Sequence, residues 1–343
     1  MEQRPSWRIV GSVDNETEEE LKKEFSNSLE EDDLLVFSKE DQELIRTNEV
    51  PKTEMQERAI EIANEESNKL MVGMGISPYI IPSKNIHILP HDIYIKITGT
   101  AKNEIGISYP MDQNIFFDEE GIGSSYPLKF WTNIFHEILH LKAHISVHAV
   151  IEKETGDIHI SEYRSGVSIN SPQFKDKKKD SYRYFLGLHE AIITDIEKKY
   201  TATLLDLPEL QEQKDWLASE EAKSIKKDLA HKHHISEDEI IWVSKDKDIN
   251  AQYVSYPYFR DVFYYVVQEI QEQFKDQFPN GEFIKKEFIK SYFTGQLLPI
   301  ARLMTDTFGK QGFRILGSMK DEESAIHVKK LLQRTRMEIE KNS

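Results

Sequence analysis

The chain contains no cysteine among its 343 residues. That excludes disulfides, cysteine-based zinc sites and thiol nucleophiles, so any metal must be held by histidine and carboxylate side chains. Long apolar runs are also missing. Nothing approaches the roughly 18 consecutive apolar residues of a membrane span, and the opening MEQRPSWRIVGSVDNETEEE lacks the apolar centre of a secretory signal. Positive charge is in short supply: 44 Lys and Arg stand against 60 Asp and Glu, a formal net charge of −16. Nucleic-acid binders need a basic footprint that releases counterions, and short runs such as Lys175 to Lys179 sit among acids. These absences describe a soluble, cytoplasmic protein with neither nucleic-acid nor membrane partners, its oligomeric state left open.

What is present is enough chain for one large or two ordinary domains, without a fixed-period repeat. Residues 1–50 form an acidic N-terminal segment whose runs, such as Glu30-Glu31-Asp32-Asp33, read as solvated faces or loose ends. Helical spacing from Thr53 to Met71 predicts a helix. The segments IHIL, IYIKIT, EIGISY and NIFFD between Asn85 and Asp118 predict three or four strands, being short, rich in Ile and aromatics, and divided by Pro, Gly, Asn and Asp. A helix over 126–146 follows, then a hairpin over about 147–169 turning at Glu154-Thr155-Gly156-Asp157, then a helix over 184–205. Beyond Leu207 the pattern is helical. Strands first and helices afterwards indicate an α+β fold. The expected division is an acidic segment over 1–50, a core with the inserted hairpin over 51–206 and a helical subdomain over 207–343.

The residues that carry chemistry are His136-Glu137-Ile138-Leu139-His140. Positions i and i+4 of a helix share a face, so both imidazoles reach one ion at about 2.0–2.1 Å, and Glu137 is placed to act as general base. A catalytic zinc ion needs a third protein ligand and an open position. His144 extends the series, but eight residues of helix from His136 amount to about 12 Å, which is too far. Glu190, in LHEAIITD, is a lone carboxylate among apolar residues, expensive to bury unless it is paired, protonated or bound to a cation. His189 is the alternative; adjacent helical residues diverge by about 100°, so only one of the two faces a metal. Gly187 suits close approach of another segment. Candidate oxyanion donors are Tyr163 and Arg164 in SEYRSG, the histidines of AHKHH at 230–234, and Tyr256 and Tyr258 in SYPYFRD. The AHKHH cluster also reads as an exposed turn between charged helices.

HEILH followed by HEAIITD resembles the gluzincin metallopeptidases, the zincins whose thermolysin-type members carry HExxH and then a helix reading NEAISD. The resemblance implies a zincin-like fold, a small and mostly antiparallel sheet packed on the HExxH helix. It further implies one Zn²⁺ held by His136, His140 and Glu190, with Glu137 as the catalytic residue and a peptide or protein as substrate. The chain is also similar to uncharacterised predicted bacterial metallopeptidases that combine HExLH, an LNEAxxE-like helix and a late YFxG segment, matched here by SYFTG at 291–295. Together these span roughly residues 85–317. The departures are specific. His189 stands where the family has Asn, and Thr194 falls on the family Asp, leaving Asp195 one place late for orienting a zinc-bound His. The interval to Glu190 is lengthened by the inserted hairpin. In zincins the strand before the first helix commonly forms the sheet edge that pairs with extended substrate, which maps onto Asn114 to Asp118; an ordinary core strand is the equal alternative there.

The leading expectation is therefore a zinc-dependent peptide hydrolase. Two others remain open: a catalytically inactive zincin-like binding module with a structural or vacant metal site, and a metal-free protein in which Glu190 and the two histidines form a buried polar network.

Overall fold

The computed structural model describes residues 7–31, 34, 37–99, 104–123, 127–152, 155–170, 183–244 and 256–342. The architecture is α+β, with two small sheets. The chain divides into two compact units, each discontinuous in sequence: 1–123 with 133–184 and 290–297, and 124–132 with 185–289 and 298–343.

The elements of the first unit, in chain order, are β1 (Trp7–Ser12), α1 (Asn15–Glu31), α2 (Lys39–Asn48), α3 (Glu54–Gly73), β2 (Ile86–Leu89), α4 (His91–Thr98), β3 (Gly106–Tyr109), β4 (Asn114–Asp118), α5 (Glu119–Ile122), α6 (Pro127–Lys142, from residue 133 onward), β5 (Ile145–Ile151), β6 (Ile158–Ser165), β7 (Ser168–Asn170) and β8 (Arg183–Tyr184). A five-stranded sheet runs β1-β5-β6-β7-β8 and a three-stranded sheet runs β2-β4-β3. Both are mixed, because β1 pairs with β5 and β2 with β4 in parallel while the remaining pairs are antiparallel.

Of the two readings of the acidic N-terminal runs, residues 7–25 follow the solvated face, being built into this unit. Trp7 and Ile9 of β1 bury with Leu21 and Phe25 of α1 against Ile145, Val147 and Ala149 of β5, so the acidic residues of α1 decorate a helix whose apolar side is covered. The hairpin is therefore part of a sheet whose first strand comes from the chain start. Its turn holds Gly156 at φ +80, while Glu154 lies outside the described residues.

The segment IYIKIT, expected as a strand, is helix α4. Its period-2 pattern is overridden by its ends and packing. Pro90 sets the entry, Gly99 closes the helix at φ +64 with its N–H on Ile95 O, and Tyr94 is buried with Leu34, Ile45, Leu89 and Phe116 while Ile93, Ile95 and Ile97 pack around them. Helix α3 starts as expected, on a capping box in which Thr53 Oγ1 accepts from Gln56 N and Gln56 Oε1 accepts from Thr53 N.

The second unit holds α7 (Leu186–Leu204), α8 (Gln211–Ala218), α9 (Glu220–His233), α10 (Pro257–Gln273), α11 (Gly281–Thr294, to residue 289), α12 (Leu298–Phe308), α13 (Gly312–Gly317) and α14 (Glu322–Asn342). Helix α7 is buried over most of its length, including Leu188, Ala191, Ile192, Ile193 and Ile196. Helix α10 runs beside it, bearing the buried Phe259, Val262, Phe263, Val266 and Ile270. The expected breaks at 278–281, 294–295 and 308–312 fall between helices, and residues 245–250 lie outside the described residues.

Candidate metal centre

Helix α6 carries the first motif because its apolar residues recur with the helical period: Leu128, Trp131, Ile134, Phe135, Ile138 and Leu139 are almost completely buried. It stops at Lys142, short of the expected 146, where the chain turns and enters β5 at Ile145. Its last carbonyls, which have no partner within the helix, are taken by side chains. Tyr292 Oη donates to Leu139 O at 2.7 Å and Tyr79 Oη to Leu141 O at 2.9 Å. Lys142, 2% exposed, reaches Ser67 Oγ at 2.9 Å and Asn68 Oδ1 at 2.8 Å on α3, and burial holds its amine well below the ordinary lysine range.

The SYFTG segment thereby acquires a structural role. Tyr292 accepts from His144 N at 3.1 Å as well as bonding Leu139, and Gly295, at φ +70, lies so close to the His144 ring that a Cβ would come within 2.2 Å of it.

Helix α7 is aimed by its N-terminus. Phe185 sits in the left-handed region at φ +62, its N–H donates to Gly317 O at 2.8 Å, and Gly187 N donates to Met319 O at 2.9 Å. Gly187 gives the close approach expected of it, since a Cβ there would meet Met319.

On these helices the Nε2 atoms of His136 and His140 lie 3.2 Å apart, with the ring planes inclined by 70°. Two ligands about 2.05 Å from one tetrahedral ion would be about 3.3 Å apart, so the imidazole pair has the spacing of a chelate. One ligand atom from each of His136, His140 and Glu190 lies within 4.8 Å of the others, the one such group of three among the described residues. Glu190 and Glu137 are each 8% exposed. Two imidazoles and a carboxylate fit a zinc ion with a position left for water. His144 stands outside this group, with its Nε2 2.9 Å from Ser146 Oγ.

The remaining candidates fall outside this group of three. Asp195 accepts from Tyr264 Oη at 2.8 Å and from Lys285 Nζ at 3.0 Å, with Lys199 at 3.6 Å. Burial alone would raise its carboxyl, but these partners outweigh burial and hold it below the usual range. Asp195 thus pins α7 to α10 and α11 and does not orient a ligand histidine. Thr194, at the family Asp position, donates to Glu190 O at 2.8 Å. His189 is buried on α7 and is not part of the group of three. Tyr163 and Arg164 lie on β6, where Arg164 Nε donates to Gly166 O at 2.9 Å. Tyr258 bonds Glu322, which raises its pKa, and faces α14. Tyr256 is exposed at the start of α10; His231 and His234 are exposed at the end of α9, and the side chain of His233 lies outside those described.

The expectation of an open edge at Asn114 to Asp118 is corrected. Strand β4 is the middle of its sheet, with β2 on one side and β3 on the other, and all five of its residues are buried. The edge is β3. Gly106 on β3 packs over the Phe117 ring and beside the general-base candidate, where an added Cβ would come 3.4 Å from Glu137 Cγ. Sequence reading passed over Gly106, whose one signal was a glycine inside a strand pattern, which often marks close approach. The chain matches no protein-family model, no curated protein and no solved structure.

Proposed function

We propose that the protein is a zinc-dependent hydrolase of peptide bonds. His136, His140 and Glu190 would hold the ion, and Glu137 would serve as general base. The observation that carries this reading is the convergence of two Nε2 atoms and one carboxylate within 4.8 Å, with a further buried carboxylate one residue along α6 from His136. A divalent ion in such a site supplies Lewis acidity and lowers the pKa of coordinated water. Glu137 takes a proton from the attacking water and returns it to the departing amine, a transfer that suits a carboxylate kept from bulk solvent. Substrate presentation falls to β3. Its outer backbone groups pair with no strand among the described residues, and an extended peptide added there would run past Gly106 and Glu137.

The test is a matched pair of variants assayed for metal content and for cleavage of a mixed peptide library. Glu137→Gln should keep its zinc and lose about 10²- to 10⁴-fold in turnover. Glu190→Ala should lose the zinc. Full activity in Glu137→Gln would overturn the reading.

A further inference from the structure

The five-stranded sheet places two arginines around one serine. Arg8 of β1 is paired in register with Ser146 of β5, and Ser146 with Arg164 of β6. Directly paired residues project from the same side of a sheet, so Arg8 and Arg164 stand on either side of Ser146, one on each neighbouring strand, on the face opposite the Trp7–Ala149 cluster and just before the register of β6 shifts between Ser146 and Val147. His144 joins them through its contact with Ser146. Arg164 is held by its Nε–H on Gly166 O, and Gly166 N in turn donates to His144 O at 2.7 Å.

Among the described residues no carboxylate pairs with this charge. Neither arginine forms an ion pair among the described residues, and Arg164 Nη2 is buried there with no hydrogen-bond partner. Burial, opposed by Tyr163 and aided by Arg8, brings the Arg164 guanidinium down to about 10. Burial together with Arg164 and Arg8 pushes the His144 imidazole down to about 4. Both shifts come first from burial, with neighbouring positive charge adding to it, in a chain whose formal net charge is −16. A planar oxyanion is what a pair of guanidinium forks matches best.

The place is close to the proposed reaction. Tyr292 bonds both Leu139 and His144, and Ser146 follows His140 by six residues, a backbone span of at most about 21 Å. Extended peptide rises about 3.3 Å per residue, so at most about six residues would separate an anion here from the metal ligands.

We propose that Arg8, Arg164 and Ser146 form a carboxylate-binding subsite. Resting on the peptidase reading above, this carboxylate is the free C-terminus of the substrate, from which one to about six residues are removed; the other source of the same group is a free small carboxylate.

The experiment uses full-length protein carrying Glu137→Gln, so that peptide is not cut, and follows the Arg164 Nε–H and His144 ring resonances by NMR. These signals report the subsite and not the metal. The probes are sodium acetate, a blocked tetrapeptide with a free C-terminus, and the same peptide as its C-terminal amide. The acid should bind roughly tenfold or more tighter than the amide, and Arg8→Gln or Arg164→Gln should remove that preference. Arg8 is exposed, so its replacement leaves the fold intact, and Arg164→Lys keeps the charge while losing the fork should the glutamine variant not fold. If acetate shifts these resonances, the arginine variants weaken it, and the acid and amide bind alike, the subsite stands and takes a free carboxylate, whatever becomes of the peptidase reading. If acetate and the acid move neither resonance, or bind the Arg8→Gln protein as well as the parent, the subsite is wrong.

Discussion

Burial, with Arg164 and Arg8 adding to it, disfavours the charged form of His144, and that ties the stability of the fold to acid at this residue. Its folded-state pKa of about 4 lies below the value of about 6.5 of an exposed histidine. Between those two values the unfolded chain binds a proton that the folded chain refuses, so stability rises with pH through that window and is level above it. Acidification from pH 7 to pH 5 should therefore cost about 1–2 kcal/mol through this one group, after allowing for partial solvent access. His144→Gln keeps a hydrogen-bonding partner for Ser146 and removes the proton site. Urea denaturation at the two pH values should show the drop in the parent and a smaller one, by about that amount, in the variant. Equal drops would mean that the ring is not neutral in the folded protein.

At the scale of elements, the end of α6 is fixed by side chains from distant parts of the chain. Tyr292→Phe removes the hydroxyl that satisfies Leu139 O while preserving the ring, and a buried carbonyl left unsatisfied costs about 1–3 kcal/mol. Equilibrium denaturation should find a loss of that size. A change under about 0.5 kcal/mol would mean that water replaces the tyrosine. This bond also marks the limit of what the chain declares about itself. Helix α6 and the pair His136 and His140 were legible because the helical period is written into consecutive residues, and Glu190 because a carboxylate in an apolar helix demands a partner. Helix α4 was not legible, since its Ile-Tyr-Ile-Lys-Ile alternation is decided by Gly99 and by the burial of Tyr94. Strand order was equally hidden. NIFFD reads the same in the middle of a sheet as at its edge, and only pairing with β2 and β3 makes it central. The row Arg8, Ser146, Arg164 exists only through register between strands about 140 residues apart in sequence, which no local pattern encodes.

For the molecule as a whole, a metal bound at His136, His140 and Glu190 would act as a clasp between residues fifty positions apart in the chain, from 140 to 190. A ligand that binds the folded state alone stabilises it by RT ln(1 + [L]/Kd), about 2.7 kcal/mol at one hundred times Kd. In a chain of this length that corresponds to a rise in Tm of about 3–6 °C. The net charge of −16 offers a competing explanation for any such rise, because divalent cations gather around an acidic surface. The two effects separate by chemistry and by salt. Diffuse attraction is shared by Mg²⁺ and Ca²⁺ and is screened at 0.5 M NaCl, where the Debye length is only about 4 Å. A site of two imidazoles and one carboxylate prefers Zn²⁺ over both and keeps its ion in salt. Chelator-treated protein should thus gain the Tm shift with Zn²⁺ at 0.5 M NaCl and not with Mg²⁺, and Glu190→Ala or His140→Ala should abolish it. A shift that survives both substitutions, or that Mg²⁺ reproduces, would assign the stabilisation to the surface and leave the three residues without an ion to hold.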